Sequence, residues 1–364
     1  MSAELYIGLM SGTSLDGVDA ALVQIGDGAL QCLSSAYLPY SPSLRDTALS
    51  LHTPGTDDLH RANLLAREVA EIYAQVVNEL LEQAGTEARH IKALGAHGQT
   101  VRHNPAAGYT IQLLNPALLA ELTEITVVAD FRSRDIAAGG QGAPLVPAFH
   151  DATLRHPNEH RVVLNLGGIA NITDLAPGRI ARGFDTGPGN MLLDAWIQRQ
   201  RGLDFDMDGA WGATGTPQTS LLERLLSHPY LQLPPPKSCG REEFNLGWLH
   251  GQLGGHETPE DVQATLVELT ASSASAAIVR ECGTPDMLLA CGGGALNSHL
   301  MKAIAAHMPD TLVTTTDSAG LPGDWLEAIA FAWLAHRTLH GLPGNLPAVT
   351  GANGERILGA IYPR

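Results

Sequence analysis

Residues 6–23 constrain the fold more than any other stretch of the chain. Two strand-forming apolar runs flank a turn holding Gly12 and Gly17, the hydroxyls of Thr13 and Ser14, and the carboxylates of Asp16 and Asp19. The glycines let backbone N–H groups approach an anion closely, and the hydroxyls add donors. Two carboxylates suit a phosphate only where a divalent cation mediates. Two readings stand at this point: an anion-binding turn, and a plain hairpin with a polar tip. Gly12 and Gly17 have the spacing of a Walker A loop, but Val18-Asp19 occupy the Lys-Ser/Thr positions. A strand also follows the turn where a Walker loop would feed a helix. A P-loop NTPase is excluded.

The rest of the pattern predicts an α/β architecture. Strands are expected at 5–10, 18–26 and 30–37, with Gly26-Asp27-Gly28 as the second turn. Ala66, Val69, Ile72, Tyr73 and Val76 recur at helical spacing and predict a helix over 57–83. Short strands follow at 91–97, 110–113 and 126–130, so strands alternate with helices. The opening theme then recurs. A strand at 161–166 runs into Gly167-Gly168, Asn171 and a second apolar run; another at 286–291 runs into Gly292-Gly293-Gly294 and a helix at 298–307. The recurrence predicts two related α/β lobes facing each other across a cleft, without a close sequence repeat. Asn297 stands where a dinucleotide fingerprint has its third glycine, so the triple-Gly turn suits a purine or ribose, or is a tight structural turn. The loop at Pro234-Pro235-Pro236 precedes Lys237 and Ser238, groups able to reach a phosphate.

Composition narrows the partners. The 364 residues carry a net charge of −16, which argues against nucleic acid or an anionic membrane surface. An anionic substrate must then meet a local basic patch or a metal. Cys32, Cys239, Cys282 and Cys291 are scattered, with no C-x-x-C pair or His-Cys zinc spacing, and read as reduced structural thiols. The start of the chain has an acid and no basic region before an apolar run, and no apolar run approaches the ~18 residues of a membrane span. The expectation is a soluble cytoplasmic protein.

Three glycine turns in this order resemble the two phosphate motifs and the adenosine motif of the actin/hexokinase/Hsp70 superfamily. The segments Ser11–Gly17, His97-Gly98-Gln99-Thr100, Asp130-Phe131-Arg132, Gly139–Pro147, Phe184–Asn190, Cys291–Gly294, Leu342–Asn345 and Val349–Ala352 more closely resemble the anhydro-N-acetylmuramic acid kinases. The resemblance spans nearly the whole chain. It implies two actin/hexokinase-like lobes with mixed β-sheets flanked by helices and an ATP cleft between them. Lobe I is expected at 1–132 plus 325–364 and lobe II at 133–324, with hinges near 131–136 and 322–325. It further implies use of ATP and Mg²⁺ on 1,6-anhydro-N-acetylmuramic acid, by a homodimer, in peptidoglycan recycling. Water would open the anhydro bridge at C1 while O6 takes the γ-phosphoryl group. Two positions depart from the family pattern. Ser133 separates Arg132 from Arg134 where three arginines are usual, and Cys239 replaces a threonine in the run 236–241. An ordinary sugar kinase of this fold and a nucleotide-gated binding module are the alternatives.

Individual residues acquire expected roles. Asp185 lies in Gly183-Phe184-Asp185-Thr186-Gly187-Pro188-Gly189, where glycines oppose a helix and leave room for a ligand. It is the expected catalytic base; an Asx-turn carboxylate is the plainer reading. Glu327, three residues after Asp324, reads as a capping-box residue, while the resemblance implies a place near the sugar. Arg134, with Arg132, suits a carboxylate or phosphate by bidentate contact, or forms a surface ion pair. Ser14, Asp16, His97, Gln99, Asp130 and Gln141 are expected with Arg134 and Asp185 at the substrate. Residues 12–19 would hold the β/γ-phosphates, with Asp19 on Mg²⁺, while Gly167, Gly168 and Asn171 take the opposite phosphate side. Gly292, Gly293 and Gly294 would take the adenosine.

Overall fold

A computed structural model describes residues 3–26, 29–240 and 242–364. Asp27 and Gly28 of the expected second turn, and Arg241 at the end of the 236–241 run, lie outside them. The chain forms two compact units, Met1–Thr153 with Trp325–Arg364, and Leu154–Asp324.

In the first unit, β1 (Glu4–Ser11), β2 (Gly17–Gly26) and β3 (Ala29–Pro39) form an antiparallel meander. β4 (Ile91–Asn104) joins β1 in parallel, β5 (Tyr109–Leu113) pairs with the far half of β4, and β6 (Val127–Ala129) extends the sheet. In the second unit, β7 (Arg161–Leu166), β8 (Ile169–Leu175) and β9 (Arg182–Pro188) form the same meander. β10 (Met287–Cys291) and β11 (Leu312–Thr315) follow in parallel. β12 (Ala360–Tyr362) closes the edge of the first sheet beside β6. The orders β3-β2-β1-β4-β6 and β9-β8-β7-β10-β11 are therefore one topology used twice. The duplication expected from the glycine pattern is present in the strand order.

Each unit buries its own core. In the first, the helix Asp58–Ala84 lays Leu65, Val69, Tyr73, Val76 and Leu80 on the meander and stops at Gly85, which takes a left-handed φ of 62°. Gly8 and Gly95 sit opposite each other on β1 and β4. A Cβ at either would strike the carbonyl of Ala328 or Phe331, so the paired glycines admit the helix Leu326–Leu339 to backbone contact. In the second unit, the helix Pro259–Cys282 begins at a Thr258 cap followed by proline. It is long and apolar enough to cross a membrane, but 78% of its apolar window is buried inside the protein, as a core helix is.

Two boundaries differ from expectation. β4 continues to Asn104 because residues 99–104 pair with β5, an excursion with no strong apolar alternation. The crossover into the second unit falls after Thr153, not at 132/133. Residues 133–153 stay with the first unit because Asp135 is fully buried there. Its Oδ1 accepts from Asn345 Nδ2 and Thr350 Oγ1, both at 2.8 Å, and Phe149 packs edge-on to Trp333. The expected hinge at 131–136 therefore lies inside a bonded segment, whereas that at 322–325 spans the return crossing.

Candidate active site

In the first unit, the turn between β1 and β2 is braced from below. Gln99 Nε2 donates to the Gly12 carbonyl at 3.1 Å, and Ser11 Oγ bonds the Gly98 carbonyl and the Tyr73 hydroxyl. Within the turn, Asp16 Oδ1 accepts from Ser14 Oγ at 2.6 Å and from the Gly17 N–H at 3.0 Å. Thr13, Ser14 and Asp16 remain exposed. Leu15 and Val18 are buried in the core, so each can offer a ligand only its backbone. Leu15 holds a φ of 59°, an uncommon conformation for a branched side chain that keeps the turn tight. Asp19 faces Met10 and Tyr37 in the ladder, next to the turn.

Below the turn lies a linked set. His97 is 5% exposed; its Nδ1 bonds the Ser11 carbonyl at 3.1 Å, which makes Nδ1 the protonated nitrogen. Nε2 then accepts from Arg132 Nε at 3.1 Å and Nη2 at 2.9 Å. Both ring nitrogens are thus committed within the protein, and burial with the nearby guanidinium holds the imidazole well below its ordinary pKa. His97 positions Arg132 and has no nitrogen left for a sugar. Gln99 is likewise fully buried, although its Oε1 has no hydrogen-bond partner. Arg132 also donates to the Gly142 carbonyl at 2.8 Å, and burial lowers its pKa to about 10.

Glu327 interacts with this guanidinium by charge. It is reached by solvent yet closely surrounded by protein, which pushes its carboxyl up, while Arg132 pulls it back. The expected capping box is absent: residues Gly323–Trp325 form a 3₁₀ turn, Trp325 is the N-cap, and no side chain caps the helix. Glu327 falls at the second helical position, where its charge favours the helix N-terminus. Asp130 is exposed with a φ of 58° and accepts from the Ser133 N–H; Arg134 and Gln141 are exposed beyond it. The loop bearing Gln141 is fixed by Asp135 Oδ2, which accepts from the Gly142 N–H at 2.8 Å.

In the second unit, the other two glycine turns meet. The carbonyls of Gly167 and Gly168 accept from the N–H groups of Gly189, Asn190 and Met191. Gly292 has a φ of 77°, and a Cβ there would lie 2.5 Å from Asn165 Oδ1. A Cβ at Gly294 would lie 2.6 Å from Leu166 Cβ, whereas Gly168 and Gly293 have nothing nearer than 3.8 Å and 3.9 Å. The backbone is therefore tightly packed at Gly292 and Gly294 and open at Gly168 and Gly293.

Asp185 lies on β9 directly across from Asn171 on β8, which faces Asn165 on β7. The three polar side chains form one row across a face of the sheet. Lys237 and Cys239 run along β9: the Asp185 N–H donates to the Lys237 carbonyl at 3.2 Å, and Asp185 Oδ2 accepts from the Cys239 N–H at 3.1 Å. The Tyr230 hydroxyl donates to the Asp185 carbonyl at 3.1 Å. Burial raises the pKa of Asp185, against the lowering effects of the Cys239 N–H and the Lys237 charge. The Cys239 thiol is pushed up to about 12, chiefly by burial, and is no nucleophile at neutral pH. Lys237 stacks its ammonium 4.7 Å from the centre of the Tyr230 ring and donates to the Tyr230 carbonyl. Sequence reasoning missed Asn165 and Asp135. Their signal was a lone amide inside the apolar run 162–166, and an acid shortly before the glycine-rich loop 139–142.

A sequence model of the anhydro-N-acetylmuramic acid kinase family matches residues 4–364. The anhydro-N-acetylmuramic acid kinase of Thiobacillus denitrificans is 57% identical over 365 residues, covering 99% of this chain and 98% of that protein. That of Bordetella avium is 57% identical over 362 residues, with coverage of 98% and 96%. Among solved structures, component A of (R)-2-hydroxyglutaryl-CoA dehydratase from Acidaminococcus fermentans superposes with a TM-score of 0.50. At 14% identity, and with coverage of 90% and 96%, it is similar in fold alone. The fold is α/β of the actin/hexokinase-like type, with two mixed sheets flanked by helices. The chain belongs to the anhydro-N-acetylmuramic acid kinase family.

Proposed function

We propose that the protein uses ATP and water to convert 1,6-anhydro-N-acetylmuramic acid into N-acetylmuramic acid 6-phosphate and ADP. The observation that carries the chemistry is Asp185, a half-buried carboxylate of raised pKa held by one N–H bond to Oδ2. Asp185 takes a proton from water as the water oxygen bonds to C1. The C1–O6 bond breaks, O6 bonds to the γ-phosphorus, and the bond from that phosphorus to the β,γ-bridging oxygen breaks to release ADP. Since O6 leaves toward phosphorus, no second carboxylic acid has to protonate it. Such a base contributes ~10²–10⁴-fold to the rate.

The turn at residues 12–19, the open backbone at Gly168 and Gly293, the adjoining Gly167 and the Asn171 side chain serve the nucleotide, with Gly292 and Gly294 shaping the adenosine side. The exposed Asp16 and neighbouring Asp19 are hard oxygen donors that fit Mg²⁺, whose charge would offset that of the phosphates. Arg134, Asp130, Gln141 and Ser14 serve the sugar, with Arg134 on its lactyl carboxylate, and Glu327 helps to place the water. Homodimerisation and a cytoplasmic role in peptidoglycan recycling belong to the same reading and rest on the family resemblance. The test is turnover in ¹⁸O water. Solvent oxygen on C1 of the phosphorylated product is expected. Phosphorylation without that label would make the protein an ordinary sugar kinase, and ATP binding without sugar-dependent ADP release would make it a binding module.

A further inference from the structure

At the opposite end of β1 from the glycine turn, Glu4, His336 and His340 each bring one potential ligand atom to within 4.8 Å of the others. The histidines stand one helical turn apart at the end of the helix Leu326–Leu339, on one face, with ring centres 4.4 Å apart. Glu4 Oε2 lies 3.0 Å from His340 Nε2 and accepts from the Tyr6 hydroxyl at 2.7 Å. His336 Nδ1 is buried with no hydrogen-bond partner. His336 packs edge-on against the Tyr6 ring, but a plain hydrogen-bonded cluster accounts only for Glu4 and His340 and leaves the His336 Nδ1 unpaired.

The carbonyl end of a helix favours positive charge. Around a tetrahedral zinc ion at ~2.0–2.1 Å, ligand atoms stand ~3.3 Å apart. The Glu4–His340 pair is already at that spacing, and the widest separation closes by a side-chain adjustment of about 1.5 Å. Lys92 Nζ, 3.2 Å from Glu4 Oε1, is on a side chain 56% exposed and free to leave.

We propose that Glu4, His336 and His340 form a binding site for a divalent transition metal of the zinc type, fastening the start of β1 to the end of the helix Leu326–Leu339. Two imidazoles and one carboxylate select zinc-like ions over Mg²⁺. The Tyr6 hydroxyl orients the carboxylate as an outer-shell partner. Seven residues of strand place the site ~23 Å from the glycine turn, so it acts on the fold and not in the reaction.

The test uses the full-length protein stripped with a chelator, then titrated with ZnCl₂ against a chromogenic competitor and by thermal melting. Binding of one equivalent in the micromolar range or tighter is expected, with a Tm raised by several degrees. H340A and E4Q should each weaken binding at least roughly tenfold, while sugar-dependent ADP release by the metal-free variants matches the metal-free parent. His340 is exposed at the helix end, so its replacement does not disturb a core. Equal zinc affinity in the parent and H340A, or no binding at 100-micromolar-order zinc with MgCl₂ as control, would overturn the proposal.

Discussion

In the proposed reaction Asp185 is the base, and it is held by contacts that are almost entirely main-chain. Its carboxylate must be ionised to accept a proton, and burial raises its pKa above the ordinary carboxylate value. The rate kcat/KM should therefore fall as pH drops through a limb lying above the usual carboxylate range, readable from a pH–rate profile. Asp185→Asn should lower turnover by about 10²–10⁴-fold or more with nucleotide affinity nearly unchanged by calorimetry. A variant that still turns over would remove Asp185 from the role. Cys239 contributes its N–H and not its thiol, so Cys239→Ser should keep activity in the coupled ADP assay. Asp185 stood out through the family resemblance of the segment 184–190, since its flanking glycines alone fit an Asx-turn carboxylate as well. Asp135 was not, because its partners Asn345 and Thr350 are more than two hundred residues away.

At the scale of elements, the glycines separate into two kinds. Gly292 combines a positive φ with a Cβ position 2.5 Å from Asn165 Oδ1, so Gly292→Ala should destabilise by about 1–3 kcal/mol, measured by denaturant unfolding. Gly168 has open space, so Gly168→Ala should leave stability within about 0.5 kcal/mol while weakening nucleotide binding. Equal losses of stability would contradict the division into packed and ligand-facing glycines. The helix Ser298–His307 was legible to the residue because Asn297 accepts from the Leu300 N–H as its cap. The start of the helix Leu326–Leu339 was misread, because the Asp-x-x-Glu spacing of a capping box occurs here across a 3₁₀ turn. Its position instead follows from the small-residue contact at Gly8 and Gly95.

Over the whole molecule, stability should carry an imprint of Asp194, whose pKa is raised from 3.8 to about 7 by burial first and then by Asp204 and Asp206. A carboxyl with a higher pKa in the folded state stabilises most when protonated. Its contribution is full below about pH 4 and is lost as pH rises through about 7. Asp194→Asn should therefore raise Tm by roughly a few degrees at pH 8 and leave it unchanged at pH 4, by scanning fluorimetry. A gain equal at both pH values would show that the carboxyl does not titrate in this range. The repeated strand order explains why a chain of this length needs two cores, each closed by its own long helix.

Taken alone, the sequence determined the α/β class, the recurrence of strand and glycine turn, the family, and the standing of Asp185 as the first candidate base. The first two follow from local properties, apolar periodicity and glycine in turns; the family and the standing of Asp185 follow from motifs spread along the chain. The tertiary structure decided that His97 and Gln99 brace the first turn, that Asn165, Asn171 and Asp185 form one row, and that residues 133–153 belong to the first unit. Register across strands and bonds between distant segments made those assignments, and neither is written in the spacing of neighbouring residues.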